Sequence, residues 1–409
     1  MGSRGRSQES IGVFGRLSVL DLIRIGLLVL GLLFVVTGLL PAAEAGQNMR
    51  RIAPLLLFLG SVIVLAQLTR SAQVFDVIAT RLAILGRGDY VALFLLCVAL
   101  ASATTVFLNL DTTAVLITPV LIALAGRAGL AALPLAMTTI WLANTASLLL
   151  PVSNLTNLLA ADRIALPASE FAARMWAPQL ASMGATMLFL WVFYWRRGRR
   201  GAQRYTPPQP IRLRTSRERA LFWLASTACL LFILAIPFLE TEIGYAAAVA
   251  AGILVVAFAV LDRSALGLHL VPWQLLILVT GLFLVIPTLS RYGLAELMTA
   301  LIGTDPNGWG ALRAAFAGAG LSNLINNLPA YAAGEAVVPL PNTDQLLALL
   351  IGTNVGPIVT PWASLATLLC LESCRRHDVR VDLRRFAATG LGLAVVGLVV
   401  TVLALLVSG

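Results

Sequence analysis

The chain contains no lysine, only two histidines, and charged residues make up just 12% of it. A soluble domain is usually about a quarter charged, which is what hydrates its surface. So little charge excludes a soluble globule of 409 residues. Cysteine is scarce as well. Cys97, Cys229, Cys370 and Cys374 are scattered through apolar segments, which excludes a disulfide framework. Cys370 and Cys374 stand one helical turn apart, a spacing open to a soft ion, but two small apolar side chains in a helix is the commoner meaning of such a pair. No glycine-rich loop ends in Gly-Lys-Ser/Thr, so a nucleotide-driven pump within this chain is not expected. No metal cluster and no nucleophile–base pair has a recognisable spacing, so neither enzyme nor cofactor is expected.

What is present is apolar: 59% hydrophobic residues, in runs of membrane-spanning length along the whole sequence. Arg4, Arg6 and Arg16 lead into the first run, which is long enough to span and lacks a small-residue cleavage site, so a signal peptide is not expected. The formal charge of +10 comes entirely from 29 arginines. In a membrane protein that excess fixes orientation through cytoplasmic loops, and nucleic acid is not implied. Spans are expected near 20–40, 52–69, 131–160, 176–195, 220–239, 243–261, 272–290, 345–373 and 386–407.

Two further apolar stretches, 90–126 and 310–338, are interrupted at their centres. The first breaks at Asn109-Leu110-Asp111-Thr112-Thr113, the second at Asn323-Leu324-Ile325-Asn326-Asn327 with Pro329. Non-helical backbone at membrane depth survives only where protein or a water-filled cavity satisfies it. Both therefore read as re-entrant hairpins. The fold expected is an all-α integral membrane protein with about nine full spans and two hairpins.

Arginine placement tests that topology. The segment 196–219 carries Arg196, Arg197, Arg199, Arg200, Arg204, Arg212, Arg214, Arg217 and Arg219 against Glu218, and must be cytoplasmic. Threading from it puts 23 of the 29 arginines inside and 6 outside: Arg50, Arg51, Arg163, Arg174, Arg291 and Arg313. The N-terminus falls inside and the C-terminus outside, in an inner or plasma membrane. The organisation expected is a cytoplasmic segment 1–19, repeat 20–195, an Arg-rich cytoplasmic linker 196–219, and repeat 220–409.

Under this threading the first hairpin's ends lie inside and the second's outside, which is inverted topology. Asn144–Leu159 reads NTASLLLPVSNLTNLL and Asn354–Leu369 reads NVGPIVTPWASLATLL; Asn, Pro, Leu and a final Leu-Leu coincide at one offset (354−144, 361−151, 365−155). Inverted repeats with discontinuous helices are a recurrent transporter design, and the broken pieces mark the midplane site. Here the breaks hold Asn144, Thr145, Ser147, Pro151, Ser153, Asn154, Thr156 and Asn157 in one repeat. The other holds Gly352, Thr353, Asn354, Gly356, Pro357, Thr360, Pro361 and Ser364. Proline frees a carbonyl one turn earlier, and half-helix N-termini face anions or polarised oxygens. Isolated Ser or Thr would only stitch helices together. Four polar-broken elements at related positions favour a binding site.

Asp111 is the principal carboxylate in these elements, with Glu335 in the outer arm of the second hairpin. An intramembrane carboxylate is costly, so Asp111 is a candidate proton or cation carrier. It is equally a candidate cap for a helix starting at Thr112. Glu372, Arg24 and His377 lie near membrane edges, where snorkelling accounts for them.

At LDTTAVLITPVLIAL (110–124), ANTASLLLPVSNLTNLLAAD (143–162), LINNLPA (324–330) and IGTNVGPIVTPWASLATLL (351–369) the chain resembles the ArsB-type arsenite/antimonite efflux permeases of the ion transporter superfamily. More distantly it is similar to sodium-coupled dicarboxylate and sulfate carriers and Na⁺/H⁺ antiporters. The resemblance implies export of trivalent arsenic or antimony hydroxide in exchange for protons, sometimes with a separate ATPase subunit. It implies coupling at Asp111, with Asn326 and Asn327 at a hairpin tip. Thr145, Ser147, Ser153, Asn154, Asn157, Thr360 and Ser364 line the breaks, and Thr112, Asn144 and Asn354 complete the expected substrate site. The family pattern has an acidic residue where this chain has Asn144, and a Cys-Asp pair where it has Thr353-Asn354. Both replacements are neutral. No arginine stands in the four motifs, which favours a neutral, polyol-like substrate over a clamped carboxylate. The alternative is cation-coupled transport of a small anion of the dicarboxylate or sulfate type, or Na⁺/H⁺ antiport. The sequence leaves the oligomeric state open.

Overall fold

The computed structural model describes residues 19–196, 204–239 and 242–408, so the N-terminal segment and part of the Arg-rich linker lie outside the described residues. The first half consists of α1 (Val19–Val36), α2 (Ala42–Ser71), α3 (Val74–Leu85), α4 (Tyr90–Leu108), α5 (Leu110–Ala128), α6 (Ala132–Thr145), α7 (Leu155–Ile164) and α8 (Ala168–Trp195). The second consists of α9 (Ser216–Ala235), α10 (Ile243–Leu261), α11 (Trp273–Ile302), α12 (Gly308–Ile325), α13 (Asn327–Glu335), α14 (Thr343–Val355), α15 (Leu365–Arg376) and α16 (Leu383–Ser408). No strand occurs among the described residues. Eight of the helices are long and apolar enough to cross a membrane: α2, α4, α5, α8, α9, α10, α11 and α16.

The two interrupted stretches break at asparagines with positive φ, 95° at Asn109 and 99° at Asn326. Asparagine tolerates that backbone better than other residues with a Cβ. Each asparagine then caps the returning arm: Asn109 Oδ1 accepts from Thr112 N at 2.9 Å, and Asn326 Oδ1 from Leu328 N at 3.3 Å. The cap expected of Asp111 is therefore made by Asn109, whose side chain sits two residues earlier, where a capping oxygen reaches the free N–H groups. The arm α13 has nine residues, about 14 Å at 1.5 Å per residue. That is half the hydrocarbon thickness of about 30 Å, so α13 cannot cross.

The expected breaks are also present. The α6 helix stops at Thr145 and α7 starts at Leu155; α14 stops at Val355 and α15 starts at Leu365. The helices run further than apolar stretches alone suggest. The α2 helix begins at Ala42 rather than near residue 52, and α7 reaches Ile164, bringing Asp162 and Arg163 into the broken helix. The amphipathic α3, with Val74, Phe75, Ala79 and Ala83 buried, is too short to register as a span. The α11 helix kinks at Tyr292 and Gly293, the latter at φ 101°.

Helices of the two halves exchange equivalent contacts. The α1 helix packs on α11 and α10 on α2; α6 packs on α15 and α14 on α7; α8 packs on α16. Glycines set these crossings. A Cβ at Gly281 would lie 2.7 Å from Leu28 N, and one at Gly244 would lie 3.0 Å from Pro54 O. Backbones approach this closely in membranes because small residues allow it, where lipid gives no hydrophobic drive. The linker is fastened at its start: Tyr205 donates to Ala83 O at 2.7 Å and stacks edge-on to Tyr90, and Thr206 N donates to Ala128 O at 3.2 Å.

Five of the six arginines expected outside are tied down. Arg51 and Arg163 bind Asp162 and Val338 O, Arg174 pairs with Asp344, Arg291 with Glu44, and Arg313 with Ala300 O and Leu301 O. These side chains are consumed by structure.

Candidate functional site

Four helix N-termini converge on one small cavity of about 30 Å³. Leu110 and Asp111 come from the start of α5, Asn154 and Leu155 from α7, Asn326, Asn327 and Leu328 from α13, and Ser364 and Leu365 from α15. Leu59 of α2 and Leu275 and Leu278 of α11 close the wall. Each N-terminus turns the positive end of a peptide dipole toward the cavity, although many of the first-turn N–H groups are already capped, Thr112 N by Asn109 and Leu328 N by Asn326. The cavity thus suits oxygens that are anionic or strongly polarised.

A second, larger cavity of about 240 Å³ adjoins it, and Asp111 lines both. This vestibule is lined by Gln67 of α2, Thr112 and Val115 of α5, and Arg24 of α1, together with His269, Gln274 and Leu369. No hydrogen bond reaches the Asp111 carboxylate among the described residues, and its nearest charged influence is Arg24. Arg24, expected to snorkel, instead pairs with Asp21 at 3.0 Å and faces the vestibule. Hydropathy placed it at an edge; only the fold reveals that this edge is the cavity mouth.

The other polar residues divide by task. Asn354, fully buried, accepts from Asn154 Nδ2 at 2.9 Å and Thr156 Oγ1 at 2.8 Å, and donates to Asn157 Oδ1 at 2.7 Å. Asn157 donates in turn to Ser147 O and Leu150 O, holding the first break open. Asn144 donates to Thr367 Oγ1 at 3.0 Å. The pairs Asn354–Asn157 and Asn144–Thr367 stand at one offset (354−144, 367−157), so the same contact is made twice with the halves exchanged. Ser153 Oγ donates to Val106 O, and Thr360 Oγ1 to Asn323 O, tying each break to the residue three before its hairpin tip. Thr145 accepts from Thr186 and Ser147 turns back to Asn144 O.

Of the residues expected at the site, Asp111, Asn154, Asn326, Asn327 and Ser364 line the central cavity and Thr112 lines the vestibule. Asn144, Thr145, Ser147, Ser153, Asn157, Asn354 and Thr360 build the frame around it. Ser364 Oγ and Thr112 Oγ1 are sealed from solvent and lack a hydrogen-bond partner among the described residues. The sequence places Thr156, Asn109 and Asn323 in the breaks but not among the site residues, and does not single out Thr367 at all. The repeat offset could have found Thr367, which occupies the place of Asn157.

The chain resembles known transporters along most of its length. The arsenical pump membrane protein of Escherichia coli is 29% identical over 367 residues, covering 84% of each chain. A putative arsenical pump membrane protein of Bacillus subtilis is 24% identical over 88% of each. The solved structure of the Alcanivorax borkumensis YdaH transporter, described as having an unusual topology, superposes with a TM-score of 0.60 at 18% identity. It covers 95% of this chain and 98% of its own, and shares the fold. These relatives are membrane transporters and not enzymes. The citrate transporter family model, CitMHS, matches residues 17–345, and the chain, a multi-pass membrane transporter, belongs to that family.

Proposed function

We propose that the transporter exports trivalent arsenic or antimony hydroxide in exchange for protons, by alternating access between two inverted halves. The observation that carries this reading is a cavity of neutral donors and acceptors with one carboxylate, Asp111, at its boundary. The substrate is a small neutral hydroxide whose O–H groups both donate and accept. Ionised Asp111 accepts from it; protonated Asp111 loses that acceptor site. Proton and substrate thus compete for one group, and competition of this kind couples their opposed movement. Helix N-termini and the free hydroxyl of Ser364 serve the substrate oxygens.

The arginine bias supports a cytoplasmic vestibule, a cytoplasmic N-terminus and an external C-terminus in the inner membrane. It also supports opposite orientations for the two hairpins, with the reciprocal Asn354–Asn157 and Asn144–Thr367 contacts as the axis of exchange. Substrate entering past Arg24 and His269 reaches Asp111 first.

Everted vesicles energised to an acid interior test this. Arsenite accumulation that a protonophore abolishes is expected, with Asp111→Asn inserted normally but inactive. Protonophore-insensitive or absent accumulation, or an active Asp111→Asn protein, refutes the reading. The convergence of four positive helix ends with Arg24 favours a second reading, sodium-coupled transport of a small anion. Sodium-driven citrate uptake in right-side-out vesicles would mark it.

A further inference from the structure

Glu335 is a buried carboxylate that the transport site leaves unused. It closes α13, is 4% exposed, and sits where helices of both halves meet α2. Its Oε1 lies 3.7 Å from Arg51 Nη1. Its Oε2 is sealed and lacks a hydrogen-bond partner among the described residues. Arg51 also holds Asp162 of α7 through Nε at 2.6 Å. The charged groups facing Glu335 are Arg51 from α2 and Asp162 and Arg163 from α7, with Tyr331 one turn back on its own helix. Arg163 is itself anchored on Val338 O at 3.1 Å.

The long α2 helix gives the scale. Gln67 lines the vestibule, Leu59 lines the central cavity, and Arg51 holds this cluster. The spacings are equal (67−59, 59−51), about 12 Å each along the helix axis. The cavity therefore lies midway between an open mouth and an ion-pair cluster. One guanidinium there fastens α7 of the first half and α13 of the second to the same helix.

An ionised buried carboxylate needs close partners on both oxygens, whereas Glu335 has only the Tyr331 hydroxyl beside it and Arg51 at 3.7 Å, beyond hydrogen-bond reach. We propose that Glu335 is a second proton-binding site, loaded from the face opposite the vestibule, and that its protonation unlatches α13 from Arg51 and opens that face of the cavity. A proton from solution adds to Oε2, the Glu335–Arg51 ion pair is lost, and Arg51 keeps Asp162. No other bond changes. The inference rests on the alternating-access reading above, but not on arsenite as substrate.

Access to a reporter cysteine tests it without any substrate. In the full chain, Leu278→Cys lines the cavity and Leu340→Cys stands exposed near the cluster as a reference. The four native cysteines are buried. Right-side-out vesicles receive a membrane-impermeant methanethiosulfonate, and the rate at Leu278→Cys is divided by that at Leu340→Cys at the same pH. In the parent this ratio should rise about fivefold as the outside is acidified, the size of a modest population shift. Glu335→Gln should hold the ratio high at every pH, and Glu335→Asp should restore the pH dependence. A Glu335→Gln ratio that follows the parent overturns the proposal, as does a reporter reached only from the vestibule face in every variant. Arg51→Gln provides a second route, because it removes the other half of the pair; parent-like pH dependence there is equally fatal. Failure to move arsenite would refute the substrate reading and leave this result standing.

Discussion

Replacing Asn354 by leucine keeps volume but removes the knot that joins the two halves. Three partners lose it at once: Asn154 Nδ2, Thr156 Oγ1 and Asn157 Oδ1. Asn154 lines the cavity and can be rehydrated, whereas Thr156 and Asn157 are fully buried. Each sealed, unsatisfied group costs about 1–3 kcal/mol. A hydrogen bond between transmembrane helices is worth only about 0.6 kcal/mol on average, because the unfolded chain finds other partners. With two groups sealed, the expected loss is about 2–6 kcal/mol. The equivalent change on the other side, Asn144→Leu, breaks one cross-half bond, to Thr367, and should cost about 1 kcal/mol or less. Equilibrium unfolding in mixed micelles reads both. Adding Thr156→Val to Asn354→Leu removes an orphaned hydroxyl and should recover about 1 kcal/mol. If Asn354→Leu is no less stable than the parent, or if Thr156→Val makes it worse, the knot does not hold the halves as argued.

Other expectations follow from single contacts. Gly352→Val should prevent folding, because its Cβ would run into the carbonyl of Ala315 where α14 crosses α12; membrane yield after detergent extraction reads this. Tyr205→Phe loses the bond to Ala83 O but keeps the ring against Tyr90, so a loss of about 1 kcal/mol in the same unfolding assay is expected. Arg24→Gln separates the substrate readings. Transport of a neutral hydroxide should survive within a few-fold, whereas that of an anion should fall by about tenfold or more, the scale of one lost charge-assisted contact.

Much of this fold is legible in the sequence because a bilayer imposes one demand, that backbone be satisfied, and interruptions of apolar runs advertise where it is met. Asn109 and Asn326 were visible in that way, as were both breaks. What composition cannot convey is which polar atoms face one another across 200 residues. Asn354 and Ser364 look alike as neutral residues in a broken helix. One is spent on Asn154, Thr156 and Asn157, and the other keeps its hydroxyl free. Hydropathy likewise does not reveal the partners of Arg24 and Arg51, since a charge near an apolar boundary reads the same whether it meets water or a carboxylate. Asp162 entered the membrane domain only because α7 runs four residues beyond its apolar stretch (164−160), carried by the ion pair to Arg51.

The fastening of the linker bears on how such a two-part protein stays one molecule. Once Tyr205 and Thr206 are moored to α3 and to the end of the first hairpin, the leash to α9 has nine residues, 207–215, and ten Cα–Cα steps (216−206). At full stretch it reaches about 33 Å. Pro207, Pro208 and Pro210 stiffen it further. The two halves meet through equivalent contacts, and in a crowded membrane a first half could dock with the second half of a neighbour. A short, stiff leash raises the local concentration of the correct mate far above that of any stranger, so the chain assembles in cis. The mooring at Tyr205 is then less a strut than a guarantee of parentage.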